Sequence, residues 1–206
     1  VNMSGAVNTV AGGKLDAASI SMNGSAAGDI NVGALVPDAL KETLSGLGVD
    51  AVLNADVNTN IVTDNAELNA TGNVALNATA NVVTGSSVTA GNNVALNGSV
   101  SVVTDSDIVA VGGNISINGG GNDANVSVVT NSNFIAENGQ VNITNTNLVM
   151  EGGSVVAGKG LHVTNATAAL SSVEVMGSIS FDSASSVAIE SMSASGSIEN
   201  SGSLSL

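Results

Sequence analysis

Three observations predict an all-β fold, a parallel β-helix (β-solenoid) of about eight rungs of about 20 residues: two sequence markers that share one period, apolar residues that alternate within each marker, and a core alphabet of small β-branched side chains. The first marker is Ile61-Val62-Thr63, Val82-Val83-Thr84, Val102-Val103-Thr104 and Val128-Val129-Thr130, at intervals of 21, 20 and 26, with Leu148-Val149-Met150 following 20 later. The long interval holds the turn-rich stretch 119–124, Gly-Gly-Gly-Asn-Asp-Ala, read as an insertion that bulges from one corner without disturbing the stack.

The second marker is an apolar-x-apolar pair, often followed by Asn-Gly: Ile20/Met22, Val74/Leu76, Val94/Leu96 and Ile115/Ile117, continuing at Val141/Ile143, Leu161/Val163, Ile179/Phe181 and around Ile198. Alternation within each pair is the two-residue period of a strand, and Gly, Asn, Asp and Ser punctuate the chain every six to eight residues. A unit of this size cannot bury its own apolar face. Stacked on its copies it forms continuous inward columns while its backbone bonds to the rungs on either side. A β-sandwich would lack the strict coil-length period, and a leucine-rich repeat would need its leucine consensus.

One stretch breaks the pattern. In residues 33–50, Pro37 suits the first turn of a helix, Asp38 its N-terminal end, and Gly46 or Gly48 its end. Leu40, Leu44 and Leu47 fall on one stripe, so a short helix over 37–47 is expected, lying across the flank of the solenoid or docking a neighbouring subunit. The chain reads as one solenoid over 1–206 with insertions at 33–50 and 119–124.

Composition narrows function. The chain of 206 residues is 43% apolar with two Phe, no Trp and no Tyr, and only 10% charged, well below the usual quarter. A net charge of −14, with Lys14, Lys41 and Lys159 as its only basic residues besides one His, excludes nucleic-acid binding, which needs cations on phosphate, and disfavours anionic membrane surfaces. No window of about twenty apolar residues reads as a membrane span, which predicts a soluble chain freed of any export signal. Cysteine is absent, so no disulfide framework is expected. Nine Asn-X-Ser/Thr sequences, Asn69, Asn97 and Asn142 among them, are glycosylation acceptors in form, at a frequency this composition already favours.

Runs such as GNVALNATANVVTGSSVTAGNNVALNGSVSVV, residues 72–103, resemble the repeats of filamentous haemagglutinin-type adhesins and autotransporter passengers over roughly residues 61–206. The resemblance is one of period and composition. It implies a right-handed parallel β-helix, export to the cell surface, and adhesion or scaffolding.

Catalytic candidates are few. His162, between Leu161 and Val163, is turned by alternation to the outer face, and no triad base accompanies it. Three scattered lysines do not make the cationic groove that holds an anionic polysaccharide. Asp105 and Asp107 are the nearest carboxylate pair. They are expected at a turn, or as a weak Ca²⁺ candidate lacking the six to eight oxygens of a full site. No catalytic residue and no other cofactor is expected. Thr63, Thr84, Thr104 and Thr130 are read as a column at a rung corner, since ice-binding solenoids pair threonines on each rung.

The expected function is therefore structural: an extracellular fibre subunit that joins copies of itself head to tail. The alternatives are an adhesin segment binding a glycan or receptor and, last, a polysaccharide-acting enzyme. The expected joint uses Val1 at one end and Ile198, Leu204 and Leu206 at the other, where alternation persists to the last residue, with Leu40, Leu44 and Leu47 as further contact candidates.

Overall fold

The computed structural model describes residues 1–5, 8–24, 29–31, 56–119 and 125–206, and among these every regular element is a strand. The expected helix over 37–47, with Leu40, Leu44 and Leu47, lies outside the described residues, as does 120–124 of the turn insertion. The described residues form a parallel β-solenoid of eight coils and part of a ninth, each complete coil laying one strand on each of three faces.

The first face stacks Asn2–Gly5, Ile20–Gly24, Val74–Asn77, Val94–Asn97, Ile115–Asn118, Gln140–Thr144, Gly160–Thr164, Ser178–Phe181 and Ile198–Asn200. The second and third faces are separate short strands in the early coils, as in Ala80–Thr84 and Ser87–Ala90. They merge into long bent strands later, as in Val126–Ala136 and Asn147–Ala157. Among the described residues all pairing between coils is parallel, and Asp29–Asn31 alone pairs antiparallel, with Asp56–Asn58.

The second sequence marker maps onto the first face. Val74, Val94, Ile115, Val141, Leu161 and Ile179 stack in one inward column, and Leu76, Leu96, Ile117, Ile143, Val163 and Phe181 in the next. All twelve are at most 2% exposed. On the third face the last inward position is Ala17, Ala70, Ala90, Ala110, Ala136 and Ala157 in successive coils. Small, identical side chains let the chain pass close to the core where it turns back to the first face.

The corner between second and third faces explains the turn residues. Gly12, Asn65, Gly85, Asp105, Asn131 and Gly152 stack there, each in the left-handed region with φ between 48 and 69°. Gly, Asn and Asp tolerate that region best, so one conformational demand repeated coil by coil selects them. At the first-to-second corner Asn145 and Asn165 do the same, with φ of 54 and 48°.

The first marker needs a correction of register. Val62, Val82, Val102, Val128 and Val149 are partners, so the true intervals are 20, 20, 26 and 21. Thr63 pairs with Val83 and is fully buried, and Asp64, Thr84, Thr104, Thr130 and Glu151 form the corner column. A β-irregularity between Thr59 and Ile61 shifts the chain by one residue as it re-enters the stack, and Leu148 opposes Ser127. Tripeptide similarity alone cannot detect such a slip, because apolar residues occupy both sides of this strand.

Both interruptions leave from one corner. The segment between Gly24 and the stacked residues Ile61–Asp64 and the segment between Asn118 and Val126 each follow a first-face strand, and register resumes across them: Asn23 pairs with Asn77 and Asn118 with Thr144.

Candidate functional site

Many polar side chains hold coil to coil. On the outer side of the first face Asn77 Nδ2 donates to Asn23 Oδ1 at 3.0 Å and Asn97 Nδ2 to Asn77 Oδ1 at 2.8 Å, a ladder running along the stack. Each rung of it adds a side-chain hydrogen bond to those of the backbone, about 1 kcal/mol apiece where shielded.

A second ladder lies inside the corner after the left-handed residue. The hydroxyls of Ser86, Ser106 and Ser132 each donate to the carbonyl two residues earlier, at 2.7–2.8 Å. Each accepts the backbone N–H of the preceding coil: Ala66 N to Ser86 Oγ at 3.1 Å, Ser86 N to Ser106 Oγ and Ser106 N to Ser132 Oγ at 3.0 Å. These serines are at most 3% exposed. Sequence reasoning missed this, although its signal is present: Thr-x-Ser recurs at 84–86, 104–106 and 130–132.

Asp105 occupies the left-handed corner, its carboxylate accepting from Asn131 Nδ2 at 3.3 Å. Asp107 opens the strand Asp107–Ala110, facing outward, and accepts from Asn133 Nδ2 at 2.8 Å. Both are bound to amides of the next coil, and among the described residues no three His, Cys, Asp or Glu gather into a metal-binding group. His162 faces outward on the first face, its Nδ1 2.8 Å from Ser180 Oγ.

Among the described residues three charged groups are tuned by neighbours. The Ser185 hydroxyl, and then the Asn165 backbone N–H at 3.1 Å, hold the Asp182 carboxyl below its usual range. Lys14 Nζ sits 3.2 Å from Glu67 and 3.6 Å from Asp16, raising the lysine; Asn69, then Lys14, lower Glu67. Both partners are exposed, so the pair adds little stability.

The outer side of the second face carries an apolar stripe that sequence reasoning also missed. Val83, Val103 and Val129 belong to the core, so their neighbours Val82, Val102 and Val128 point away from it, yet these are at most 8% exposed. The stripe continues through Val149, Ala169 and Ala188 into an open groove of about 420 Å³ that Leu206 also lines.

At the last coil, Ile198 pairs with Ile179 and Leu204 with Val187, so the core columns run to the end of the described stack. Ile198 is 45% and Leu206 77% exposed, and at the opposite end Val1 is 51% exposed. No family model matches the chain, and comparison with the curated proteins and with the solved structures found no match to either.

Proposed function

We propose that the protein is a structural subunit of an extracellular fibre or surface filament, extending head to tail through its two end coils. The observation that carries the reading is the last coil: Ile198 and Leu204 stand in register with the core columns, on strands bonded to one neighbour only. Such an edge presents unpaired donors and acceptors together with open core side chains, and a heterologous contact made there does not close on itself. The extracellular setting rests on the repeat style shared with filamentous haemagglutinin-type adhesins and autotransporter passengers.

The register supports one way for two subunits to meet. Extending each column by one coil brings Ile198 onto Val1, Glu199 onto Asn2, Leu204 onto Asn8 and Leu206 onto Val10. The third face ends one coil earlier, at Ser191–Ala194, so the joint is continuous on two faces and leaves a one-strand gap on the third.

The chain has no cysteine, which makes the joint directly testable. Strand partners lie about 4.8 Å apart, within disulfide reach. The double variant Asn2→Cys, Glu199→Cys should therefore oxidise to a ladder of covalent multimers, while negative-stain microscopy of the unaltered chain shows fibres that Leu204→Glu abolishes. A chain that stays monomeric by light scattering at high concentration would overturn the proposal.

A further inference from the structure

Inside the corner between the first and second faces, three oxygens on successive coils are sealed from solvent and have no hydrogen-bond partner: Asn81 Oδ1, Ser101 Oγ and Asn125 Oδ1. Their residues are only 1–2% exposed. Asn81 and Ser101 are register partners on adjacent strands and share the inward side, since Val82 and Val102 beside them face out. The amide nitrogens are already used: Asn81 Nδ2 donates to the Asn97 carbonyl at 3.1 Å and Asn125 Nδ2 to the Asn145 carbonyl at 3.3 Å. Each amide is thereby oriented with its oxygen turned the other way, without a donor.

The inward column containing Asn81 and Ser101 changes character along the stack. It holds Asn8, Ile61, Asn81, Ser101 and Ser127 in the first five coils, then Leu148, Ala168, Val187 and Leu204. The polar members all lie in the first five coils, where Ile61, in the coil from which the first inserted segment departs, is the one apolar residue. A buried polar group that no protein group satisfies is rare, and costly unless something small fills the place.

We propose that this corner is a hydration site, in which one ordered water donates to Asn81 Oδ1 and accepts from the Ser101 hydroxyl, and a second donates to Asn125 Oδ1. The ligand must donate hydrogen bonds to amide oxygens and accept one from a hydroxyl. Water does both, whereas a divalent cation would call for carboxylates and six or more oxygens. Parallel partners about 4.8 Å apart stand at a separation that one bridging molecule can span between side-chain oxygens that do not bond to each other.

The test is water-¹⁷O magnetic relaxation dispersion on the purified full chain, which counts waters held longer than the molecule tumbles. Ser101→Val places methyl groups where later coils have Leu148 and Ala168, and should lower the count by one with the β-type dichroism spectrum retained. Asn81→Ala serves as a second variant should Ser101→Val fail to fold, and should lower the count likewise. An equal count in the unaltered chain and a folded variant overturns the proposal. So does an atomic-resolution crystal structure in which Asn81 Oδ1 and Ser101 Oγ bond to each other directly.

Discussion

Ile117→Ala is the perturbation that most directly separates the inner side of the first face from the outer. Ile117 is 1% exposed and stacks between Leu96 and Ile143, so its side chain is enclosed by the coils on both sides. Deleting three carbon groups at about 0.8 kcal/mol each removes about 2.4 kcal/mol of transfer free energy. The coils are clamped by backbone bonding and cannot collapse onto the space, so a cavity term brings the loss to about 3–4 kcal/mol. At about 2–4 °C per kcal/mol for a chain of this size, the melting temperature should fall by about 10 °C. Ser116, the adjacent residue, faces outward beside Ala95, and Ser116→Ala should change stability by less than about 0.5 kcal/mol. Thermal melts followed by circular dichroism measure both, and hydrogen exchange should place the lost protection in the coils flanking Ile117, because each coil contacts only its neighbours. Equal effects at the two positions would refute the assigned alternation.

Three further outcomes follow from the corners. Ser106→Ala removes the acceptor of the Ser86 N–H inside a buried ladder and should cost about 1–3 kcal/mol in a denaturant titration, while Ser87→Ala, at an outward strand position, should cost far less. Asp105→Gly should leave the melting temperature nearly unchanged because φ is 49° there, whereas Asp105→Val should lose about 1–3 kcal/mol; the reverse order would show the carboxylate to matter more than the backbone. Asp182 is held below its ordinary value of 3.8, so its contribution is fully present above that pH and is lost as pH falls through the lowered folded value. Melts from pH 6 downward should therefore show an acid-dependent loss that Asp182→Asn reduces.

The fold was legible because its two strongest signals are local. Pairs such as Val74/Leu76 and Val141/Ile143 alternate on a face whose outer side is small or polar, so period and direction are explicit in the sequence. The second face resisted because both of its sides carry apolar residues: in Val100–Thr104 all but the last residue are buried. With no polar side to fix the phase, the tripeptide pattern puts Thr63 in the corner column, whereas it belongs to the core. The corner serines were illegible for a different reason. A serine among turn residues looks like a solvated turn residue, and only the coil above shows that its oxygen is an acceptor.

The shared departure point of the two inserted segments carries a consequence for engineering. Closing a longer loop adds entropy cost only logarithmically, and the strand register on either side is held by neighbouring coils rather than by the loop. Asn23 and Asn77, 54 residues apart, make the same ladder bond as Asn77 and Asn97, 20 apart. Foreign peptides grafted at Gly98, the equivalent position one coil before the second departure, would emerge at the same azimuth as the two native segments. On a rod built from stacked copies, such cargo would form a single row along one ridge, leaving the other sides bare.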